Sequence, residues 1–490
     1  MTTNADALAV IHAARTLTVG AWVVATNHGR QQLAEAGVGQ GDRVVLWMEP
    51  SLEMAIAITS VWAAGGVIVL INTQSKAPQL SHVLETTAAT AVIHSIKLPV
   101  ELPAKVMGLS AAEILPSDDA SPVSERFSID SESFASIVFT SGSTGQPKGV
   151  VQRHSTLLDG AHRVAEYHGI AEADRLLCPV PWSFDFGFVQ WQVSVASGAT
   201  LIIPERNDLH SVCNTIEQQR PTVLAAVPAL ITHLMTGMSP FSGIDKSSLS
   251  VITSSGGSLP SVVLAQLIEQ MPRGAFYLNY GLTETYRSAC LCPEMVRDRP
   301  ESIGRAIVGV DLIVVDDAGR QVPDDTIGEL VHIGAGVAAG YWRGGEHPLE
   351  PLLQPIHAKH SDQPVMGCRT GDYGWRDSAG FFHFHGRRDS QLKVMGVRVS
   401  PVEVEKMLNA SGLISQSAVF GQPHALLGTA VVAVVVSDGG DAVLKDLKKF
   451  ARKNLPPHMM PQRWERRSAL PVTRHGKIDY DALKVELTNG

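Results

Sequence analysis

Short apolar runs bounded by turn residues recur along the chain: Arg43 to Trp47, Val67 to Ile71, Ala91 to Ile93, Ser136 to Phe139, Thr200 to Ile203 and Thr222 to Ala225. Stretches with helical spacing lie between several of them, such as Glu53 to Ala64 and Leu80 to Thr87. Strands alternating with helices predict parallel sheets covered by helices, an α/β fold. Met54 to Ile71 is uncharged and nearly long enough to cross a bilayer, but Gly65-Gly66 divide it and the part that follows is β-branched. It therefore predicts a buried helix followed by a buried strand, with no membrane span.

The pattern weakens between Lys97 and Ser131, where Pro, Ser, Asp and Glu mix and predict an exposed connection. It changes again near the C-terminus. Phe381 to His385 predicts a short strand, and Pro401 opens a helical pattern with proline in its first turn. Between them, Arg387 to Ser390 is the expected domain boundary. At 490 residues the chain is too long for one compact core. The expected division is a large N-terminal domain (1–386) of helix-covered sheets, a hinge (387–390) and a small, mobile C-terminal α/β domain (391–490). Ala430 to Val436 supplies a strand of the small domain and Leu444 to Lys453 a helix. Internal repeats and low-complexity tracts are absent.

Hydrophobic residues make up 44% and charged residues 18%, the balance of an ordinary globular protein. A net charge of −8 without any Lys/Arg run argues against a nucleic-acid partner. The five cysteines lack zinc-ligand spacing, and Cys290 and Cys292 are too close for a CxxC pair, so reduced thiols are expected. The N-terminus has neither the basic start nor the apolar core of a signal peptide, and a cytoplasmic location is expected.

Ser136 to Gly149 carries the strongest chemical signal, an apolar strand running into a loop of small residues. Thr140, Ser141, Ser143 and Thr144 offer hydroxyl donors, Gly142, Gly145 and Gly149 let backbone N–H groups approach anionic oxygens, and Lys148 adds a mobile positive charge. This composition predicts a phosphate cradle. It is not the common P-loop, because Pro147 precedes the lysine and Gly149-Val150-Val151 follows it.

The segment resembles the signature of the acyl-adenylate-forming superfamily of acyl-CoA synthetases, nonribosomal peptide adenylation domains and firefly luciferase. Four further segments match in order: Asn279 to Glu284, Arg369 to Asp372, Gly386 to Arg398, and Pro471 to Lys477. The resemblance implies an ATP- and Mg²⁺-dependent, AMP-forming ligase. Tyr280, with Asn279 and Gly281 beside it, would stack on adenine against Gly256-Gly257, and Asp372 and Arg387 would take the ribose. Thr140, Ser141 and Lys148 would embrace the departing pyrophosphate, Thr283 would bond the α-phosphate, and Glu284 would hold the metal. Lys477 would stabilise charge building between carboxylate and α-phosphate. The small domain would then turn about Asp389 and exchange the Lys477 loop for a face bearing Lys393 and Gly396, the latter leaving room for a pantetheine thiol.

Asp185 occupies the position where amino-acid-activating members pair with the substrate ammonium, although a helix N-cap role is the plain alternative. Phe186, Val189, Ala225, Thr253, Ser255, Asn279, Arg287 and Ser288 would line the pocket. Arg287 could bind a second carboxylate or a hydroxylated side chain, or turn outward to pair with Glu294; a structural role is slightly preferred. With no carrier domain after Lys477, the expected acceptor is the pantetheine thiol of a separate carrier protein. The expected reaction is therefore amino-acid adenylation followed by thioester transfer. The alternatives are an acyl- or aryl-CoA ligase, with CoA as acceptor and Asp185 structural, and a nucleotide-binding accessory protein without catalysis.

Overall fold

The structure, a computed structural model, describes residues 4–75, 77–115, 128–140, 148–235, 239–345, 348–359, 361, 363–387, 392–394, 397–424, 428–437, 439–455, 459–473 and 476–488, with backbone only at 393, 397, 398, 428, 441 and 488. Its order of elements is the alternation that the sequence predicts. One sheet runs Leu349–Glu350, Gly340–Trp342, Lys148–Arg153, Phe134–Thr140, Val67–Leu70, Arg43–Trp47, Ala91–His94 and Met107–Ser110. A second runs from Arg305–Ala306 through Ala289–Leu291, Ala275–Tyr280, Val251–Ser254, Val223–Ala225, Arg175–Leu177 and Thr200–Ile203 to Leu8–His12 and Arg15–Thr18.

The central strands are parallel and buried on both faces, which explains their unbroken apolar runs. Because side chains alternate in direction along a strand, Val44, Leu46, Ile68 and Leu70 of the first sheet join Leu176, Leu201 and Val223 of the second in one cluster with the helices between them. Val45, Val69 and Val92 face the opposite way into a separate cluster. Among the helices between the sheets are Leu52–Ala63, His154–His168 and Asp185–Ser197. Leu52–Ala63 starts at Ser51, whose hydroxyl accepts from Met54 N at 3.2 Å, and is followed by Gly65 at φ +82°. This is the buried helix expected there, and no helix among the described residues is long and apolar enough to cross a membrane.

Met107–Ser110, inside the expected connection, pairs in parallel with Ala91–His94 as an edge strand. Four residues at an edge leave too little apolar periodicity to be read from sequence. A third sheet contains Val310–Val315, Gly328–Gly334, Val365–Arg376, Leu353–Ile356 and Phe382–Arg387. The small C-terminal domain has the helices Pro401–Asn409, Gly440–Asn454 and Tyr480–Thr488 around the strands Gln416–His424, Gly428–Val436 and Arg463–Arg467.

Candidate active site

Phe134–Thr140 runs parallel to Val67–Leu70 on one side and antiparallel to Lys148–Arg153 on the other, placing Thr140 opposite Lys148. Ser141, Gly142, Ser143 and Thr144 lie outside the described residues, as do Asp389 and Gly396; Lys393 is described by its backbone, in a strand paired with Val397–Val399. The Lys148 ammonium sits 4.9 Å from the centre of the Tyr341 ring, within cation–π range, and the Tyr341 hydroxyl donates to Glu284 Oε1 at 2.8 Å. Tyr341 thus joins the lysine of the first predicted segment to the carboxylate of the second. The Thr283 carbonyl accepts from Gln152 Nε2 at 2.7 Å, which fixes the backbone on the other side of Glu284.

Tyr280 ends its strand with its hydroxyl donating to Asp372 Oδ2 at 2.8 Å. Asp372 stands opposite Arg387 across two antiparallel strands, with Arg387 Nε 3.3 Å from Asp372 Oδ1. Burial and the adjacent Asp372 charge hold the Tyr280 phenol well above its usual pKa. Behind this trio, Glu329 accepts from Gly371 N at 3.0 Å and from Arg369 Nε at 2.7 Å, so the turn that presents Asp372 is braced.

The Lys477 loop enters from the small domain. Thr473 N donates to Lys477 O at 2.6 Å, Val472 bridges Ile478, and Gly476 adopts φ +73° where a Cβ would stand 2.8 Å from Val227 Cγ2. Lys477 Nζ lies 5.5 Å from the centre of the Phe184 ring. Lys477 remains exposed within the cleft, yet the protein crowded round it desolvates the ammonium and lowers its pKa. Arg387 pushes the same way, while Asp372, Asp185 and Glu284 pull it back.

Asp185 is the first residue of its helix; Phe184 is the N-cap and makes no capping bond, so the N-cap alternative does not hold. Asp185 is 8% exposed, and burial raises its carboxyl to about 6 against the opposing pull of Arg287. Arg287, 3% exposed, lies with Nη1 3.5 Å from Asp185 Oδ2, donates to Tyr286 O at 2.6 Å and sits over the Phe186 ring. Its buried Nη2 has no hydrogen-bond partner among the described residues. The outward pairing of Arg287 with Glu294 is thus corrected. Tyr286 has a left-handed backbone, φ +58°, and the guanidinium that follows it turns in toward the buried carboxylate. The Tyr286 ring is held by its hydroxyl donating to Gln192 Oε1 at 2.9 Å, and it lies so close to Gly160 that a Cβ there would be 2.6 Å from Cε1.

Asn279 Oδ1 accepts from Tyr167 OH at 2.7 Å, and Asn279 Nδ2 donates to Thr253 Oγ1 at 2.9 Å, with His168 Nε2 3.4 Å from that same oxygen. Burial, aided by Arg287, lowers His168 to about 3, so the ring is neutral at pH 7. Phe186 and Ser255 are nearly closed off, and Val189, Ala225, Thr253 and Ser288 have no exposed surface. Ser288 Oγ is committed to Thr285 and His332. These four residues are fully packed and leave no surface exposed for a substrate to meet.

Residues 403–477 match the AMP-binding enzyme C-terminal domain, and residues 1–342, more than half of the chain, match the AMP-binding enzyme family. The chain belongs to the AMP-binding enzyme family. This AMP-binding enzyme is 27% identical to zwittermicin A synthase ZmaJ of Bacillus cereus, over 98% of the chain and 92% of that protein. It is 26% identical to bacitracin synthase 3 of Bacillus licheniformis, over 97% of the chain but only 8% of that much longer protein. Its fold superposes on ATP-bound MatB from Rhodopseudomonas palustris with a TM-score of 0.86 at 24% identity, over 99% of this chain and 97% of the other. The enzyme is an adenylate-forming, AMP-forming ligase.

The residues present fit ATP. Gly256, at φ +93°, leaves a space that a Cβ would close to 2.9 Å from Phe184 Cζ, while the Tyr280, Asp372 and Arg387 trio offers an aromatic face, an acceptor and a donor. Glu284 is a single carboxylate near Lys148, which suits Mg²⁺, a cation that keeps waters and phosphate oxygens as its other ligands. Tyr341, Glu329, Phe184, Tyr167 and His168 are members of the site that sequence reasoning missed. Each touches a predicted residue remote in sequence, and of the five only Phe184, beside Asp185, stands in a segment that the sequence had singled out.

Proposed function

We propose that this AMP-binding enzyme activates an amino acid with Mg·ATP to an acyl adenylate, releasing pyrophosphate, and passes the acyl group to the pantetheine thiol of a separate carrier protein. The observation that carries the reading is geometric: Tyr280 and Arg387 meet at Asp372, Tyr341 joins Lys148 to Glu284, and Lys477 lies over Phe184, the residue before the buried Asp185. Asp372 and Arg387 would hold the ribose and Tyr280 the adenine, fixing the α-phosphate near Lys477. Lys148, with Thr140, Ser141, Gly142, Ser143 and Thr144, would hold the leaving pyrophosphate, and Thr283 the α-phosphate. Mg²⁺ at Glu284 would neutralise phosphate charge. The substrate carboxylate would then meet the α-phosphorus in line beside Lys477, whose positive charge is most useful when the transition state is most anionic. In this reading 387–390 is a hinge about Asp389, and rotation of residues 391–490 exchanges the Lys477 loop for Lys393 and Gly396 before the thiol attacks.

At the far end of the pocket Asp185 would take the substrate ammonium. Its carboxyl is raised to about 6 even with Arg287 beside it, so the buried charge is incompletely compensated and a second cation would be favourable. The Arg287 contact also favours a second reading, an acyl- or aryl-CoA ligase in which the pair is structural. Pyrophosphate exchange over a panel of amino, fatty and aryl acids tests both. Exchange with an amino acid that collapses in Asp185→Ala supports amino-acid activation, and exchange only with acids lacking an amino group refutes it.

A further inference from the structure

The helix Pro401–Asn409 has two consecutive residues that point to different partners. Glu405 Oε1 accepts from Val419 N at 2.6 Å and from Tyr480 OH at 2.7 Å. Lys406 Nζ donates to Phe384 O at 3.2 Å, and Ser400, the helix N-cap, donates to His385 O, both on the strand Phe382–Arg387 that carries Arg387. Tyr480 opens the last helix, three residues after Lys477. The base of the Lys477 loop is closed by Asp479 N donating to Pro471 O at 2.8 Å, and Ile478 and Tyr480 pack on the small domain's core beside Leu470 and Leu483. A lysine on a four-carbon stem reaches a defined point only if its backbone is held, and here the bonds Thr473 N to Lys477 O and Asp479 N to Pro471 O hold it on both sides.

We propose that Glu405 and Tyr480 form a clasp that sets the reach of Lys477, making Glu405 a positioning residue for adenylation that acts through Tyr480 and takes no part in thiol transfer. The inference rests on the reading that Lys477 serves the adenylating step alone. The geometry gives the clasp its direction: it ties the loop base to the helix that also touches the Arg387 strand, so loop and nucleotide-binding residues share one frame. Burial raises the Glu405 carboxyl to about 7 against both hydrogen bonds, so a neutral acceptor of the same shape should serve as well. A displacement of about 1 Å at a reacting group can cost roughly 10²-fold in rate, which makes a clasp remote from the chemistry consequential.

The experiment measures two half-reactions in the full chain: pyrophosphate exchange with the acid that wild type prefers, and thioester formation from the chemically prepared acyl adenylate with CoA and with free pantetheine. Tyr480→Phe should lower the exchange kcat about tenfold, the cost of one hydrogen bond, with KM for ATP and acid unchanged. Glu405→Leu should lower it further, Glu405→Gln should restore most of it because an amide oxygen can accept both bonds, and all three should form thioester at near the wild-type rate. Wild-type exchange in Tyr480→Phe, an equal fall in both half-reactions, or Glu405→Gln as poor as Glu405→Leu would overturn the clasp alone. Failure of wild type to exchange with any carboxylic acid would instead overturn the underlying reaction and the clasp with it.

Discussion

Replacing Asp185 by Asn keeps the shape of the side chain and removes its charge, and the structure sets the size of the effect. Burial raises this carboxyl from 3.8 to about 6 although Arg287 opposes it. At 1.36 kcal/mol per pKa unit, roughly two units leave about 3 kcal/mol of uncompensated charge burial in the empty site. A substrate ammonium beside Asp185 would recover most of that, so Asp185→Asn should lower kcat/KM for the preferred amino acid by roughly 10²-fold in pyrophosphate exchange. The pH profile gives an independent reading. Because the folded pKa lies above the unfolded value, the ionised form is the costly one: the charge lowers stability above about pH 6, and this cost fades as pH falls from 6 toward 4. Over the same interval the protonated carboxyl can no longer pair with an ammonium, so wild-type kcat/KM should fall while the Asn variant stays flat. Amino-acid exchange within twofold of wild type in Asp185→Asn, or superimposable pH profiles, would refute the argument.

Arg287→Met should destabilise the fold by about 3 kcal/mol in urea unfolding by leaving Asp185 buried without its partner, and the double variant Asp185→Leu, Arg287→Met should regain most of the loss. Lys477→Ala should lower pyrophosphate exchange by roughly 10²–10³-fold while leaving thioester formation from the prepared acyl adenylate intact. Gly256→Ala should raise KM for ATP at least about tenfold with an unchanged circular dichroism spectrum, because the added Cβ meets Phe184 and the φ of +93° disfavours any side chain. Tyr341→Phe should raise the Mg²⁺ concentration needed for half-maximal exchange, since Glu284 loses the hydroxyl that orients it.

Much of the architecture could be read from sequence because parallel strands buried on both faces leave an unmistakable apolar run, as at Val67–Leu70, and because Ser51 and Gly65 mark the limits of a helix that hydropathy alone could have mistaken for a membrane span. The candidate reacting residues stood out for another reason: Lys148, Glu284, Asp372 and Lys477 lie in segments that resemble a family signature, and the fold then joins Lys148 to Glu284 through Tyr341 and Tyr280 to Asp372. The residues that orient them did not. Tyr341 and Phe184 are ordinary aromatic residues until the fold sets them against Glu284 and Lys477. Side-chain direction was not legible, because spacing says which strand a residue belongs to but not which way it faces. Ser288 turned away to His332, and Arg287 turned in toward Asp185.

The left-handed backbone at Tyr286 bears on how the specificity of this enzyme could be changed. A non-glycine residue at φ +58° costs roughly 1–3 kcal/mol, and here the ring is kept in place by the absent side chain of Gly160, a helix away in space and more than a hundred positions away in sequence. Any residue at Gly160 would displace Tyr286 and, with it, the direction in which position 287 points. A library that varies Arg287 alone therefore samples only side chains compatible with one fixed approach. On the proposed reading, substrates that need a different approach call for combined changes at 160, 286 and 287, so these three positions form a single unit for redesign.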